Sequence, residues 1–99
     1  MKYIPKSGSI YITTLTLANT WYAVLTEAQS KAVRGIKMKS RYTYGQQSGN
    51  PFDYAFSASP GEDYISNTGA GWGEEFAPTS GIWARSAIAG TIIEILTYE

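Results

Sequence analysis

The most constraining feature of this sequence is a two-residue alternation within residues 32–44. Apolar side chains occupy one parity of this segment, and basic side chains occupy the other. The apolar set is Ile36, Met38, Tyr42 and Tyr44, and the basic set is Lys37, Lys39 and Arg41. Because successive side chains of a strand point to opposite faces, this pattern predicts a strand with one face in a core and one in water.

The composition extends this interpretation to the whole chain. Ten Ile, two Val and ten Thr residues are joined by 14 aromatic residues, and ten Gly and four Pro interrupt the runs between them. Such side chains suit a pleated surface and lose rotamer freedom in a helix. We therefore predict an all-β protein, a single antiparallel β-sandwich or jelly-roll-like barrel of about eight strands. Residues 8–99 would form the one domain, and residues 1–7 an N-terminal arm.

Two strands are predicted ahead of the alternating segment. Residues 8–17 alternate until the pattern slips by one position at Thr13 and Thr14, and residues 20–25 follow a turn at Asn19. A slip of one residue turns later side chains to the opposite face. We therefore expect a bulge, or a move between sheets, at this point.

One segment offers a helix instead of a strand. Thr26 and Gln29 have the spacing of a capping box, and Gly35 would end the helix. The unbroken alternation into Tyr44 favours the strand over residues 32–44, and the strand is the prediction.

Further strand and turn signals follow in the C-terminal half. Phe52, Tyr54 and Phe56 predict one aromatic strand face, and residues 59–61 predict a tight turn before a short strand around Tyr64. Residues 67–73 are too rich in glycine for regular structure.

The end of the chain predicts a closing hairpin. Residues 80–86 and 91–98 would be its strands, over a loop of residues 87–90. The last strand carries bulk on both faces, which is typical of a central strand. In this hairpin Arg85 would reach Glu94 diagonally.

Charge is segregated along the chain although the formal net charge is zero. Residues 1–41 contain seven basic residues and one acidic residue, whereas residues 42–99 contain one basic and seven acidic residues. In one interpretation the two parts interleave and pair across strands, where exposed pairs contribute little. In the other they form surfaces of opposite sign that meet neighbours in an assembly.

The sequence lacks most of the residue types that catalytic and metal sites use. The absence of Cys and His removes disulfides, thiolate and imidazole metal sites and Ser-His-Asp catalysis. Paired acids occur at residues 62–63 and 74–75, but neighbouring acids on a strand point apart and a chain this small has little room for a deep cleft. We predict no catalytic residue, no metal and no cofactor. The sequence also shows no membrane span and no signal-peptide pattern.

Five residues are predicted to contact partners. Trp72 lies in the glycine-rich segment, where little framework could bury it, and Tyr64 offers a second aromatic anchor. Lys37, Lys39 and Arg41 form a basic strand face that suits a subunit surface. Since three phosphate contacts would bind only weakly, a nucleic-acid partner is not predicted. The alternative role in the core stays open for all three tryptophans, Trp21, Trp72 and Trp83.

Residues 80–99 (SGIWARSAIAGTIIEILTYE) resemble the ending of small virion proteins of tailed bacteriophages. The matching residues are Ile82, Trp83, Arg85, Ser86, Ala89, Gly90, Thr91, Ile92, Ile93, Glu94 and Ile95. Residues 32–41 and 52–56 are similar to strands of the same proteins.

This resemblance implies a non-enzymatic structural component of a bacteriophage virion, such as a capsid decoration, head auxiliary or connector protein. Its partners would be other virion proteins (capsid, portal or fibre) and further copies of itself. It would assemble in the host cytoplasm and reside in the virion. The alternative is a carbohydrate-binding module of a phage fibre or a similar lectin-like sandwich, which would present coplanar, exposed Trp or Tyr rings on one face.

Overall fold

Strands account for most of the described part of the chain. The computed structural model describes residues 8–31, 33–42, 49–68, 74–76 and 80–98. The strands are β1 (Gly8–Leu15), β2 (Tyr22–Leu25), β3 (Gly35–Ser40), β4 (Phe52–Ala55), β5 (Ile65–Thr68), β6 (Glu74–Phe76), β7 (Ile82–Arg85) and β8 (Thr91–Tyr98), and helix α1 spans Glu27–Lys31. The predicted all-β class is confirmed.

The strands form two four-stranded antiparallel sheets. Sheet A has the order β1-β8-β3-β6, and sheet B has the order β2-β7-β4-β5. The first strand pairs with the last, the second with the seventh, the third with the sixth and the fourth with the fifth. A long antiparallel ribbon rolled up on itself gives this order, which is that of an eight-stranded jelly roll. The predicted β-sandwich is therefore confirmed, and its strand order is that of a jelly roll.

The core lies between the two sheets. Sheet A contributes Leu15, Ile36, Met38, Ile93 and Ile95, and sheet B contributes Val24, Leu25, Phe52, Tyr54, Ile82 and Ala84. The predicted alternation of β3 is confirmed, because its two apolar residues are buried and Lys37 is exposed. The prediction is wrong for Tyr42, which lies beyond the end of β3 with its ring exposed and 4.8 Å from Lys39 Nζ.

The capping box at Thr26 precedes a short helix, Glu27–Lys31, and the prediction of a strand from residue 32 is wrong in its first part because β3 begins only at Gly35. The Thr26 N–H donates to Gln29 Oε1 (2.8 Å), and the Gln29 N–H donates to Thr26 Oγ1 (3.2 Å). The buried Ser30 hydroxyl donates to the Ser80 carbonyl (2.7 Å), which ties the helix to the segment before β7. The two signals in the sequence do not compete, because the helix ends before β3 begins at Gly35.

Strand β1 runs without a bulge, contrary to the prediction from Thr13 and Thr14. It pairs with β8 in one unbroken register along its whole length. Leu15 is fully buried, so Ile10 and Ile12, at the other parity, point outward. The pairing decides this orientation, because opposed side chains share a face and the buried residues of β8 lie opposite the odd positions of β1.

The predicted hairpin of β7 and β8 is wrong, since the two strands lie in opposite sheets. Strand β8 is nevertheless central, as predicted. The chain crosses between the sheets before Thr91, and Gly90 has a φ of 83°, which glycine adopts without strain. Buried hydroxyls support the crossing: Thr91 Oγ1 donates to the Ile88 carbonyl (2.7 Å), and Ser86 Oγ donates to the Pro51 carbonyl (3.0 Å).

The aromatic face predicted around β4 is only partly buried. Phe52 and Tyr54 are in the core, whereas Phe56 lies beyond the strand and is exposed. The tight turn that follows is confirmed, because the Asp63 N–H donates to the Pro60 carbonyl (3.0 Å).

The remaining predictions concern strand boundaries and residues that the structure does not describe. The second strand begins at Tyr22 rather than at residue 20, and residues 67–68, predicted to be irregular, belong to β5. The predicted arm, residues 1–7, and residues 69–73 lie outside the described residues.

Candidate functional site

The outer face of sheet A brings three predicted contact residues together with aliphatic side chains. One row across the sheet is Ile10, Leu96 and Lys37, and the next is Ile12, Glu94 and Lys39. Because opposed side chains share a face, each row runs from an isoleucine at the sheet edge to a lysine. We call this surface face A, and it consists of Ile10, Ile12, Lys37, Lys39, Arg41, Glu94 and Leu96.

The aliphatic part of face A is open to solvent. Ile10 is 71% exposed, Ile12 53% and Leu96 45%. A groove of about 410 Å³ is lined by Ile10, Leu96 and Lys37, among others. Contiguous exposed apolar side chains with a polar rim are typical of interaction sites.

The charged part of face A is organised around Glu94. Its two oxygens bind Lys39 Nζ (2.9 Å) and Arg41 Nε (2.8 Å). These hydrogen bonds, that of Lys39 first, hold the pKa of Glu94 below its ordinary value. On β6, Glu75 occupies the register position opposite Lys37. Basic residues of the first part of the chain thus lie beside acids of the second, as the interleaved interpretation of the charge pattern predicts.

Tyr64 lies in a different cluster, on the outer face of sheet B. Arg85 Cζ is 4.6 Å from the Trp21 ring centre and 4.5 Å from the Tyr64 ring centre. The Arg85 Nε donates to Asp53 Oδ2 (2.9 Å), and this bond is the main cause that raises the pKa of Arg85. We call these four residues the Arg85 cluster. The predicted contact of Arg85 with Glu94 is wrong, because β7 and β8 lie in opposite sheets.

The predicted contact residues are therefore only partly brought together. Lys37, Lys39 and Arg41 share face A, and Tyr64 belongs to the other sheet. Trp72 lies outside the described residues.

Sequence reasoning missed the aliphatic half of face A. The predicted bulge or move between sheets at Thr13 and Thr14 left the orientation of Ile10 and Ile12 undecided. A signal was available in Leu15, which has the opposite parity in a run with no turn residue between. A regular strand keeps one parity, so the two sets cannot both be buried without a bulge. The Arg85 cluster left no comparable signal, since its members come from segments that are distant in the sequence.

The side chains of face A are suited to binding another surface. It combines aliphatic surface that a partner could bury with fixed charges that could set the orientation of that partner. Within the described ranges, no group of three or more metal-ligand side chains occurs. No helix among these residues is long and apolar enough to cross a membrane.

Comparison of the chain with known protein families, with curated proteins and with solved structures found no significant match. The resemblance of residues 80–99 to phage virion proteins therefore stays a prediction from the sequence.

Proposed function

We propose that this chain is a non-enzymatic structural protein of a bacteriophage virion, and that it docks on other virion proteins through face A. The exposure of Ile10, Ile12 and Leu96 beside a charged cluster carries this proposal. Burial of these side chains under a partner would remove apolar surface from water, which is the main favourable term in protein association.

The charges of face A would set orientation more than affinity. Lys39 and Arg41 are both about two-fifths exposed although they share Glu94, so each keeps donors that a partner can use. An acidic or carbonyl-rich partner surface fits this arrangement. Such contacts steer and align partners, and they are screened by salt.

The C-terminal motif supports a structural role rather than a chemical one. Ile82, Ile93 and Ile95 pack in the core, while Ser86 and Gly90 form the crossing between the sheets. These residues maintain the jelly roll, a fold that viral capsid and lectin domains use. Because one fold hosts many functions, the proposal depends on face A and not on the fold.

A virion would multiply a weak single contact. A particle presents many copies of each site, so modest affinities add through multivalency. This is consistent with a face whose few exposed aliphatic residues line an open groove.

The test is cosedimentation with purified particles of the phage whose genome encodes the chain, prepared without the protein. The double variant Ile10→Ser with Leu96→Ser should bind at least about tenfold more weakly than the natural chain. The matched control is Phe56→Ser with Ile65→Ser, which removes similarly exposed side chains from the β4–β5 end of sheet B and should bind within about twofold. Absence of binding by the natural chain, or equal loss in both variants, would overturn the proposal.

The glycan-binding alternative gains no support from Trp21 and Tyr64, two of its candidate rings. Trp21 and Tyr64 meet edge to face at 65°, which is not the coplanar platform that the alternative requires, and Arg85 occupies the space against both rings. Quenching of tryptophan fluorescence by a polysaccharide panel is the direct test. We expect no response.

A further inference from the structure

The four edges of the two sheets differ in how they are protected. Strands β2 and β5 are short and lie at irregular pairings, and β6 has three residues, two of them glutamates. Strand β1 has eight residues, pairs in one unbroken register and contains neither a charged residue nor a proline. Charges, prolines, bulges and short length are the means by which edges avoid pairing with other chains. Among the described edges, β1 alone lacks all of them.

The hydrogen bonds of sheet A also determine which residues of β1 direct their backbone N–H and C=O groups away from the sheet. The Arg41 N–H donates to the Ile92 carbonyl (2.8 Å), so the even residues of β8 direct their backbone groups to β3. The odd residues of β8 therefore direct their N–H and C=O groups to β1. Since odd residues of β1 lie opposite odd residues of β8, they direct their own N–H and C=O groups to β8. Consistent with this, the Ser9 N–H and carbonyl face β8, where both contact Thr97 Oγ1. The even residues of β1 consequently present their N–H and C=O groups at the edge that no described strand occupies.

We infer that this edge pairs with β1 of a second copy of the chain, in an antiparallel arrangement about a two-fold axis at Tyr11. This inference rests on the proposed assembly function and names one of its partners. The register sets Gly8 opposite Thr14 of the second copy, and Ile10 opposite Ile12. Every outward backbone group of the strand then has a partner, which gives about eight hydrogen bonds.

The side chains fit the same register. Ile10 of each copy lies beside Ile12 of the other, so four isoleucines meet on the outer face of one continuous eight-stranded sheet. Leu96 of each copy lies in the neighbouring strand on the same face. Pairing therefore joins the two copies of face A into one larger docking surface.

Self-pairing is favoured over another occupant for two reasons. An uncharged strand selects an uncharged partner edge, and among the described edges β1 is itself the best match. The formal net charge of zero also means that two copies have no long-range repulsion to overcome. A two-fold contact uses the same surface on both copies, so it closes at the dimer.

The first experiment combines sedimentation velocity with amide hydrogen exchange over a concentration series. The natural chain should dimerise, and the amides of Ile10, Ile12 and Thr14 should become protected as the dimer forms. Ile12→Lys should weaken the dimer at least about tenfold, since it places a charge on each side of the axis. The control Ile65→Lys alters an equally exposed residue on the β5 edge (52% against 53%) and should leave the dimer unchanged.

The second experiment maps the axis and uses the absence of natural cysteines. With an added oxidant, Tyr11→Cys should form an intermolecular disulfide, because directly opposed residues of a non-hydrogen-bonded pair have the required Cα separation. Thr13→Cys has the same parity but lies two residues from the axis, and it should not crosslink.

Amides that exchange at the same rate at every concentration, or equal crosslinking of the two cysteine variants, would overturn the inference. Failure of the inference and failure of the proposed function give different results. A monomer that still cosediments with particles through face A would remove only the β1 pairing. A dimer that binds no particle would remove only the virion role.

Discussion

The outer faces of the two sheets use their charged residues in different ways. On sheet B, Arg85 is enclosed by Asp53, Trp21 and Tyr64, so its charge and its flat face are both satisfied within the chain. On face A, the charges gather at Glu94 and leave Ile10 uncovered beside them. The comparison teaches that aromatic rings cover the charged residue on sheet B, while the charged residues of face A leave aliphatic side chains exposed beside them.

The largest effect is expected from opening the Arg85 cluster. Arg85→Ala should lower the free energy of unfolding by about 2 kcal/mol, because it removes a charged hydrogen bond and contacts with two rings. Urea denaturation measures the change. Arg85→Lys should recover part of it, since lysine keeps the charge but not the planar fork. A loss below about 0.5 kcal/mol, within the range of ordinary surface substitutions, would mean that the two faces do not differ in this respect.

A smaller effect is expected on face A. Glu94→Gln should cost about 0.5–1 kcal/mol, since Lys39 and Arg41 are both substantially exposed and solvent screens the pairs. Raising the salt concentration should reduce the difference between the natural chain and the variant. A loss equal to that of Arg85→Ala in the same urea experiment would contradict the comparison.

The lowered pKa of Glu94 predicts that the stability of the folded chain depends on pH. The folded-state pKa of Glu94 is lowered from its ordinary value of 4.5, so the folded chain binds this proton less readily than the unfolded chain. Its contribution to stability is therefore present above about pH 4.5 and is lost as the pH falls through the lowered folded-state pKa. Urea midpoints of the natural chain and Glu94→Gln should converge at low pH. A difference that stays constant would show that Glu94 is not held by its cations.

The smallest effect is expected from the exposed aliphatic side chains. Ile10→Thr keeps a β-branched residue on the strand and removes little buried surface, so stability should change by less than about 0.5 kcal/mol. Thermal unfolding of dilute monomer measures this. A larger loss would mean that Ile10 serves the fold and is not reserved for a partner.

Local patterns predicted much of the fold. The alternation of Ile36 and Met38 with the basic residues identified β3, and bulk on both faces of the last segment identified a central strand. The capping box at Thr26 also indicated the helix. The strand was preferred to it, although the strand begins only after the helix ends and the two do not exclude each other. Such signals arise from the backbone geometry of a few neighbouring residues, and they persist in the folded chain.

Other features depended on partners distant in the sequence. Nothing local distinguishes a hairpin of β7 and β8 from a crossing between sheets, because both bury the same parity of each strand. The pairing of β1 with β8 likewise decided that Ile10 and Ile12 point outward, and the Arg85 cluster assembled from four segments that are distant in the sequence.

The sequence by itself determined which segments are extended and which parity of β3 is buried, since side-chain period and backbone geometry act over a few residues. Only the tertiary structure decided which strands are neighbours, and therefore which aliphatic residues reach the surface. The physical reason is that strand pairing exchanges hydrogen bonds that are almost identical for any two strands. Which strands pair is decided by the arrangement that buries the apolar faces of both sheets at the same time.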